Sequence, residues 1–196
     1  MKLLVATTNP GKLVEIQDIL DGVAVRLDGL SRYPDIAEAP EDGQTFSENA
    51  RQKARYYSGL TGRLTVAEDS GLEIDALDGA PGVFSARYRG SSYPEKFSHI
   101  RTQLAERGQP ESTARFVCRL AVADGQAIVF EAGGTVEGTV VPDPRGVDGF
   151  GYDPIFFYPP FGCTLAEVSR ARKATVSHRG RAFRKLRAFL ENGSGR

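Results

Sequence analysis

At 196 residues, 40% of them hydrophobic and 26% charged, the chain is long enough to bury one substantial core and ordinary in composition for a globular protein. Its 25 Lys/Arg balance 25 Asp/Glu, so the zero formal net charge argues against a general binder of nucleic acid. No run of 18 apolar residues suggests a membrane span, and the apolar run at the N-terminus is too short for a secretory signal. Cys118 and Cys163 can build neither a disulfide framework nor a cysteine zinc site; they read as free thiols, and a reducing cytoplasm suits them.

Residues 2–7 read as a short buried strand, and Thr8-Asn9-Pro10-Gly11 as a loop. Leu13, Ile16, Ile19 and Leu20 then recur at helical spacing over 12–20, with Asp21-Gly22 as the stop. Residues 22–43 read as irregular and acidic. Thr45-Phe46-Ser47-Glu48 is a capping box that opens a second helix carrying Asn49, Lys53 and Tyr57. Residues 64–67 read as a central strand giving way to a loop at Asp69, with extended chain again over 72–77. Ala80-Pro81-Gly82 turns the chain into 83–88, and 94–106 reads as a helix with Phe97, Ile100 and Leu104 inward.

Strands follow over 114–123, 127–132 and 135–140, the first two joined as a hairpin through Ala123-Asp124-Gly125-Gln126. Residues 141–154, rich in Gly, Pro and Asp, read as too polar for core. A last helix over 181–190 presents Phe183, Leu186 and Leu190 on one face and leads into a frayed Gly193-Ser194-Gly195 tail. Strand–helix alternation followed by antiparallel strands predicts an α/β fold on a mixed sheet.

Four segments carry chemistry. Strand, polar loop and helix around Thr7-Thr8-Asn9-Pro10-Gly11-Lys12 aim hydroxyls, backbone N–H groups and a lysine at an anion, although the P-loop pattern is missing because Leu13 follows Lys12. The same residues also suit a plain turn capped by Asn9. Glu68-Asp69 places two carboxylates at the end of an apolar run, where each must be paired, metal-bound or catalytic. On a persisting strand the two point to opposite faces, one to a cleft and the other to a supporting role. Phe150-Gly151-Tyr152-Asp153 offers aromatic faces for a planar base and a carboxylate for a ring N–H, or simply fills the edge of a core.

Ser177-His178-Arg179 supplies donors within 170–187, a stretch with eight Lys/Arg and no acid. That stretch suits either a solvated helix face or a local field for a triphosphate. A histidine nucleophile or zinc mechanism has little support, since the other histidine, His99, is remote in sequence.

In this order, together with Thr45-Phe46-Ser47-Glu48-Asn49-Ala50 and Gly79-Ala80-Pro81-Gly82 leading to Ser85-Ala86-Arg87-Tyr88, these segments resemble the inosine/xanthosine triphosphate pyrophosphatase family over essentially the whole chain. The resemblance implies a single catalytic domain over 1–196: a two-lobed mixed α/β fold sharing a central sheet, its active cleft between the lobes, usually a homodimer in the cytoplasm. It implies Mg²⁺-dependent hydrolysis of ITP, dITP and XTP to the monophosphate and pyrophosphate, with no nucleic-acid or membrane partner. Carried over residue by residue, Asp69 looks like the general base and a metal ligand. Thr7, Thr8, Asn9, Pro10, Gly11 and Lys12 look like the phosphate loop, with Lys53 and Ser70 as further substrate contacts. Phe150, Gly151, Tyr152 and Asp153 look like the base pocket, which Lys173, His178 and Arg179 complete.

This chain departs from the family at Pro40, where relatives often carry Glu, which leaves Glu38, Glu41 and Asp42 as candidates for the second metal acid, Glu41 favoured. It departs again at Arg170-Ala171-Arg172, where relatives often carry acids. Two rival readings are a nucleotide pyrophosphatase with another base preference, such as modified pyrimidines or methylated nucleotides, and a non-catalytic nucleotide or RNA binder using residues 170–187.

Overall fold

A computed structural model describes residues 2–193. Ser194 and Gly195 of the expected tail therefore lie outside the described residues. Among the described residues one sheet has seven strands, in the order β2 (Arg26–Gly29), β1 (Lys2–Val5), β3 (Thr65–Ile74), β4 (Ser112–Asp124), β5 (Ala127–Val140), β6 (Phe156–Tyr158) and β7 (Cys163–Thr164). Its β1 (Lys2–Val5) pairs in parallel with β2 (Arg26–Gly29) and with β3 (Thr65–Ile74). The long β4 (Ser112–Asp124) turns at Gly125-Gln126 into β5 (Ala127–Val140), as the hairpin signal predicted. Short strands β6 (Phe156–Tyr158) and β7 (Cys163–Thr164) add on in antiparallel fashion. The mixed sheet expected from the sequence is thus observed.

The chain divides into two compact units. The first takes residues 2–70, Cys118–Gly134 and 178–193; the second takes Gly71–Val117 and Thr135–Ser177. In the first unit, α1 (Pro10–Leu20) starts where Asn9 Oδ1 accepts the Lys12 N–H, with Pro10 in the first turn, where its missing N–H costs nothing. Helix α2 (Phe46–Thr61) has the full predicted capping box and ends at Gly62 in the left-handed region, φ +62°. Helix α5 (His178–Gly193) starts three residues before the predicted 181.

Strand alternation divides this core. Leu3, Val5, Val66, Cys118 and Leu120 pack with Ile16 of α1 and Phe183 and Leu186 of α5. Leu4, Ala67 and Ala121 pack with Ala50, Ala54 and Tyr57 of α2. Each sheet face thus has its own helices, and neighbouring residues on β3 meet different surroundings.

The second unit packs Leu72, Ile74, Phe116, Val136, Ile155 and Phe156 with Ile100 and Leu104 of α3 (Tyr93–Glu106), Tyr152 and Leu165. Tyr152 and Asp153 are buried here, so residues 141–154 are not wholly excluded from the core as expected. A further helix, α4 (Arg170–Val176), is capped by Ser169.

Several expectations need correction. Strand β2 falls in the stretch read as irregular: Arg26-Leu27-Asp28-Gly29 has no alternation of its own, and its pairing with β1 supplies the order. Strand β3 does not yield to a loop at Asp69 but runs unbroken through Ser70-Gly71 to Ile74. Gly71 serves close approach rather than a turn, since a Cβ there would lie 2.3 Å from Ser85 Oγ, the group that accepts the Leu72 N–H. Likewise β5 runs through Gly133-Gly134 without a break. At Gly134 a Cβ would lie 2.2 Å from the His178 carbonyl oxygen, so its absence lets α5 begin against the strand.

Candidate active site

Because β3 persists, Glu68 and Asp69 project to opposite faces, and both are buried, 4% and 7% exposed. Asp69 falls on the α2 face. Its Oδ2 accepts from Asn49 Nδ2 at 2.8 Å, and its Oδ1 accepts the Ser70 N–H at 3.0 Å and lies 3.7 Å from Lys53 Nζ. Asn49 and Lys53 are four residues apart on α2, so both reach the same spot. Lys53 Nζ also donates to Glu41 Oε1 at 2.6 Å. Two carboxylates therefore meet on one ammonium. Burial pushes the Asp69 carboxyl above the usual aspartate range, and Lys53 and Asn49 offset only part of that. Burial works against charge on Lys53, yet Asp69 and Glu41 hold its ammonium above the ordinary lysine value.

Glu68 falls on the face of α1 and α5. Its Oε1 accepts Lys12 Nζ at 2.8 Å and Arg179 Nη2 at 3.3 Å, while its Oε2 accepts the Cys118 thiol at 3.1 Å. Arg179, 2% exposed, also donates to Glu15 Oε2 at 2.6 Å and Ser70 Oγ at 3.0 Å. Burial alone would raise the Glu68 carboxyl, but Arg179 and Lys12 hold it well below the usual glutamate range. The Cys118 thiol is pushed well above its ordinary value by burial and then by Glu68, so it stays a protonated donor.

In the second unit, Lys173 Nζ donates to Asp153 Oδ2 at 2.6 Å, both side chains almost wholly buried, and the ammonium sits 4.5 Å from the Phe150 ring centroid. Asp153 Oδ2 also accepts the Phe150 N–H at 2.9 Å. Gly151 has φ +69° and lies beside the Tyr93 ring. Tyr152 donates to the Ser85 carbonyl at 2.8 Å and packs edge-on against Tyr93, so its ring builds core instead of offering a stacking face.

The sequence-derived residues of the first unit thus fall into two groups on either side of β3: Lys12, Ser70 and Arg179 with Glu68, and Lys53 and Glu41 with Asp69. In the loop, Thr7 Oγ1 accepts the Asn9 N–H at 3.2 Å; Thr8 and Pro10 are exposed and Gly11 half-buried. His178 is buried in the first turn of α5. Of the three candidate acids, Glu41 is the one on Lys53; Glu38 and Asp42 are exposed. In the 170–187 run, Lys173 and Arg179 are buried ion-pair partners, whereas Arg170, Arg172, Arg181, Arg184 and Lys185 face solvent.

Sequence reasoning missed Glu15 and Asn49 as site residues. Glu15 had a signal, an acid next to Ile16 on the apolar face of α1; Asn49 had one too, a helical turn before Lys53.

Among the described residues, no group of three or more His, Cys, Asp or Glu converges to hold a metal. Asp69 and Glu41, converging on Lys53, still form a donor set that fits Mg²⁺, a cation that takes one or two carboxylates and completes its shell with water and phosphate oxygens.

A mixed α/β fold with a strand–loop–helix unit at residues 2–20 and two adjacent buried carboxylates, each beside a lysine, has equipment that suits a phosphohydrolase. The chain belongs to the Ham1 family, which it matches over residues 3–189. It is 45% identical over 190 residues to the dITP/XTP pyrophosphatase of Exiguobacterium sp., covering 97% of each chain. With the dITP/XTP pyrophosphatase of Geobacter sulfurreducens it shares 44% identity over 191 residues and 96% of each chain. Among solved structures, the HAM1 protein from Coxiella burnetii matches with a TM-score of 0.91 at 34% identity, over 98% of this chain and 99% of that one. The Staphylococcus aureus Ham1 protein matches at 0.87 and 33%, over 98% and 100%. These likenesses bear out the family resemblance drawn from the motifs.

Proposed function

We propose that the chain hydrolyses the non-canonical purine triphosphates ITP, dITP and XTP to the monophosphate and pyrophosphate. The observation that carries this reading is Asp69, a buried carboxylate with a raised proton affinity, held by Asn49 and flanked by the Lys53 ammonium. A carboxylate kept short of solvent in this way is a stronger base than one in water, which suits it to take a proton from an attacking water. Lys12, Lys53 and the N–H groups at the start of α1 neutralise the phosphates and the departing pyrophosphate. Bound at Asp69 and Glu41, Mg²⁺ would supply charge neutralisation to the phosphate oxygens.

In the second unit, the Phe150 ring offers a face to the base, and the Asp153–Lys173 pair fixes the segment that carries it. Selectivity rests on donors for O6 of hypoxanthine or xanthine: adenine has an amino group there and leaves such donors unpaired, at about 1–3 kcal/mol each. His178 is a candidate for such a donor, while Arg179, tied to Glu15, Glu68 and Ser70, holds that side of the site in place. We take the chain as one catalytic domain, working as a cytoplasmic homodimer on free nucleotides.

The test is pyrophosphate release from ITP, XTP, dITP, ATP and GTP at equal concentration, with and without Mg²⁺. Release confined to the first three and dependent on Mg²⁺ is expected. Equal release from all five would remove the base preference, and release without Mg²⁺ would remove the cation.

A further inference from the structure

Lys12 and Glu68 form an ion pair whose two members differ in freedom. Glu68 is fixed on three sides: Oε2 by the Cys118 thiol at 3.1 Å, Oε1 by Arg179 at 3.3 Å and by Lys12 at 2.8 Å. Arg179 is in turn held by Glu15 and Ser70. The Glu68 side chain is 2% exposed, whereas that of Lys12 is 21% exposed and stands on a flexible four-carbon stem. Lys12 also lies in the first turn of α1, where backbone N–H groups and the positive helix end favour an anion. An anion arriving there draws on the same ammonium that Glu68 holds, and Glu68 cannot follow.

The geometry points to Glu68 as a positioning residue that competes with phosphate for Lys12, and so sets how tightly the pyrophosphate group is held and how readily it leaves. In the free protein Glu68 stations the ammonium beside the loop; when pyrophosphate departs, it takes the ammonium back. The inference rests on the reading of residues 7–12 as the phosphate loop.

The test is a double-mutant cycle on the full chain, read as the affinity for inorganic pyrophosphate by calorimetry. Lys12→Gln is expected to weaken binding. Glu68→Gln is expected to tighten it by about three- to tenfold, and that gain should vanish when Lys12→Gln is also present. Should Glu68→Gln not fold, Glu68→Asp keeps a charge for Arg179, shortens the reach to Lys12, and is expected to change affinity in the same direction.

Unchanged or weaker binding in the Glu68 variant, or an equal gain without Lys12, would overturn the role; the latter would mark a direct field effect on the anion. If Lys12→Gln alone left affinity unaltered, the phosphate-loop reading would fall, and the role of Glu68 with it.

Discussion

Asp69 and Glu68 are adjacent buried acids with opposite consequences for stability. A carboxyl whose folded proton affinity is raised favours folding below its unfolded value, 3.8 for aspartate, and loses that contribution as pH rises through the folded value. Ionised Asp69 is therefore a net cost at neutral pH. Asp69→Asn is expected to melt at or above the wild-type temperature at pH 7 while turnover falls by about 10²–10⁴. Substantial remaining turnover would remove Asp69 as the base.

Glu68 has the opposite sign: its contribution is present above the ordinary glutamate value of 4.5 and disappears as pH falls through the lowered folded value. Glu68→Gln should destabilise the neutral protein by about 3 kcal/mol, the cost of breaking a buried ion pair, and the gap to wild type should close on acidification. Denaturant melts from pH 7 to pH 3 measure this, and a constant gap would contradict it. That these two residues face apart was legible from strand periodicity. Their partners Glu15 and Asn49 were not, because which helix covers which sheet face is decided by tertiary packing.

At the scale of elements, local chemistry was most legible where side chains close their own backbone. The capping box at Thr45 is complete, with Glu48 accepting from the Thr45 N–H and Thr45 Oγ1 accepting from the Glu48 N–H. Thr45→Ala should cost about 0.5–2 kcal/mol. Because Asn49 and Lys53 ride on that helix, it should also lower turnover, and a loss of stability with turnover intact would uncouple the cap from the site. Elements that depend on a neighbour were not legible. Strand β2 has its order from β1, and β6 and β7 span three and two residues. A loop was expected from Asp69 on, where Gly71 follows as a usual breaker, whereas here the missing side chain of Gly71 admits Ser85 within an unbroken strand.

At the scale of the whole molecule, the order of six motifs was enough to predict the family and the mixed α/β class. The chain's division into two units follows segments that are discontinuous in sequence, since β3, β4 and β5 each contribute to both. Residue pattern alone does not mark such boundaries, because the alternation of β4 and β5 continues across them. Charge was misleading at this scale too, since the basic 170–187 run divides into two buried partners, the half-buried Arg187 and an exposed remainder, and formal charge does not distinguish them.

In the proposed reaction, water activated at Asp69 attacks the α-phosphorus and pyrophosphate departs. Turnover of ITP in ¹⁸O-labelled water, followed by mass analysis of the products, tests this directly. Label in inosine monophosphate, with unlabelled pyrophosphate, is the predicted result. Label in pyrophosphate, or products of inosine diphosphate and inorganic phosphate, would contradict it.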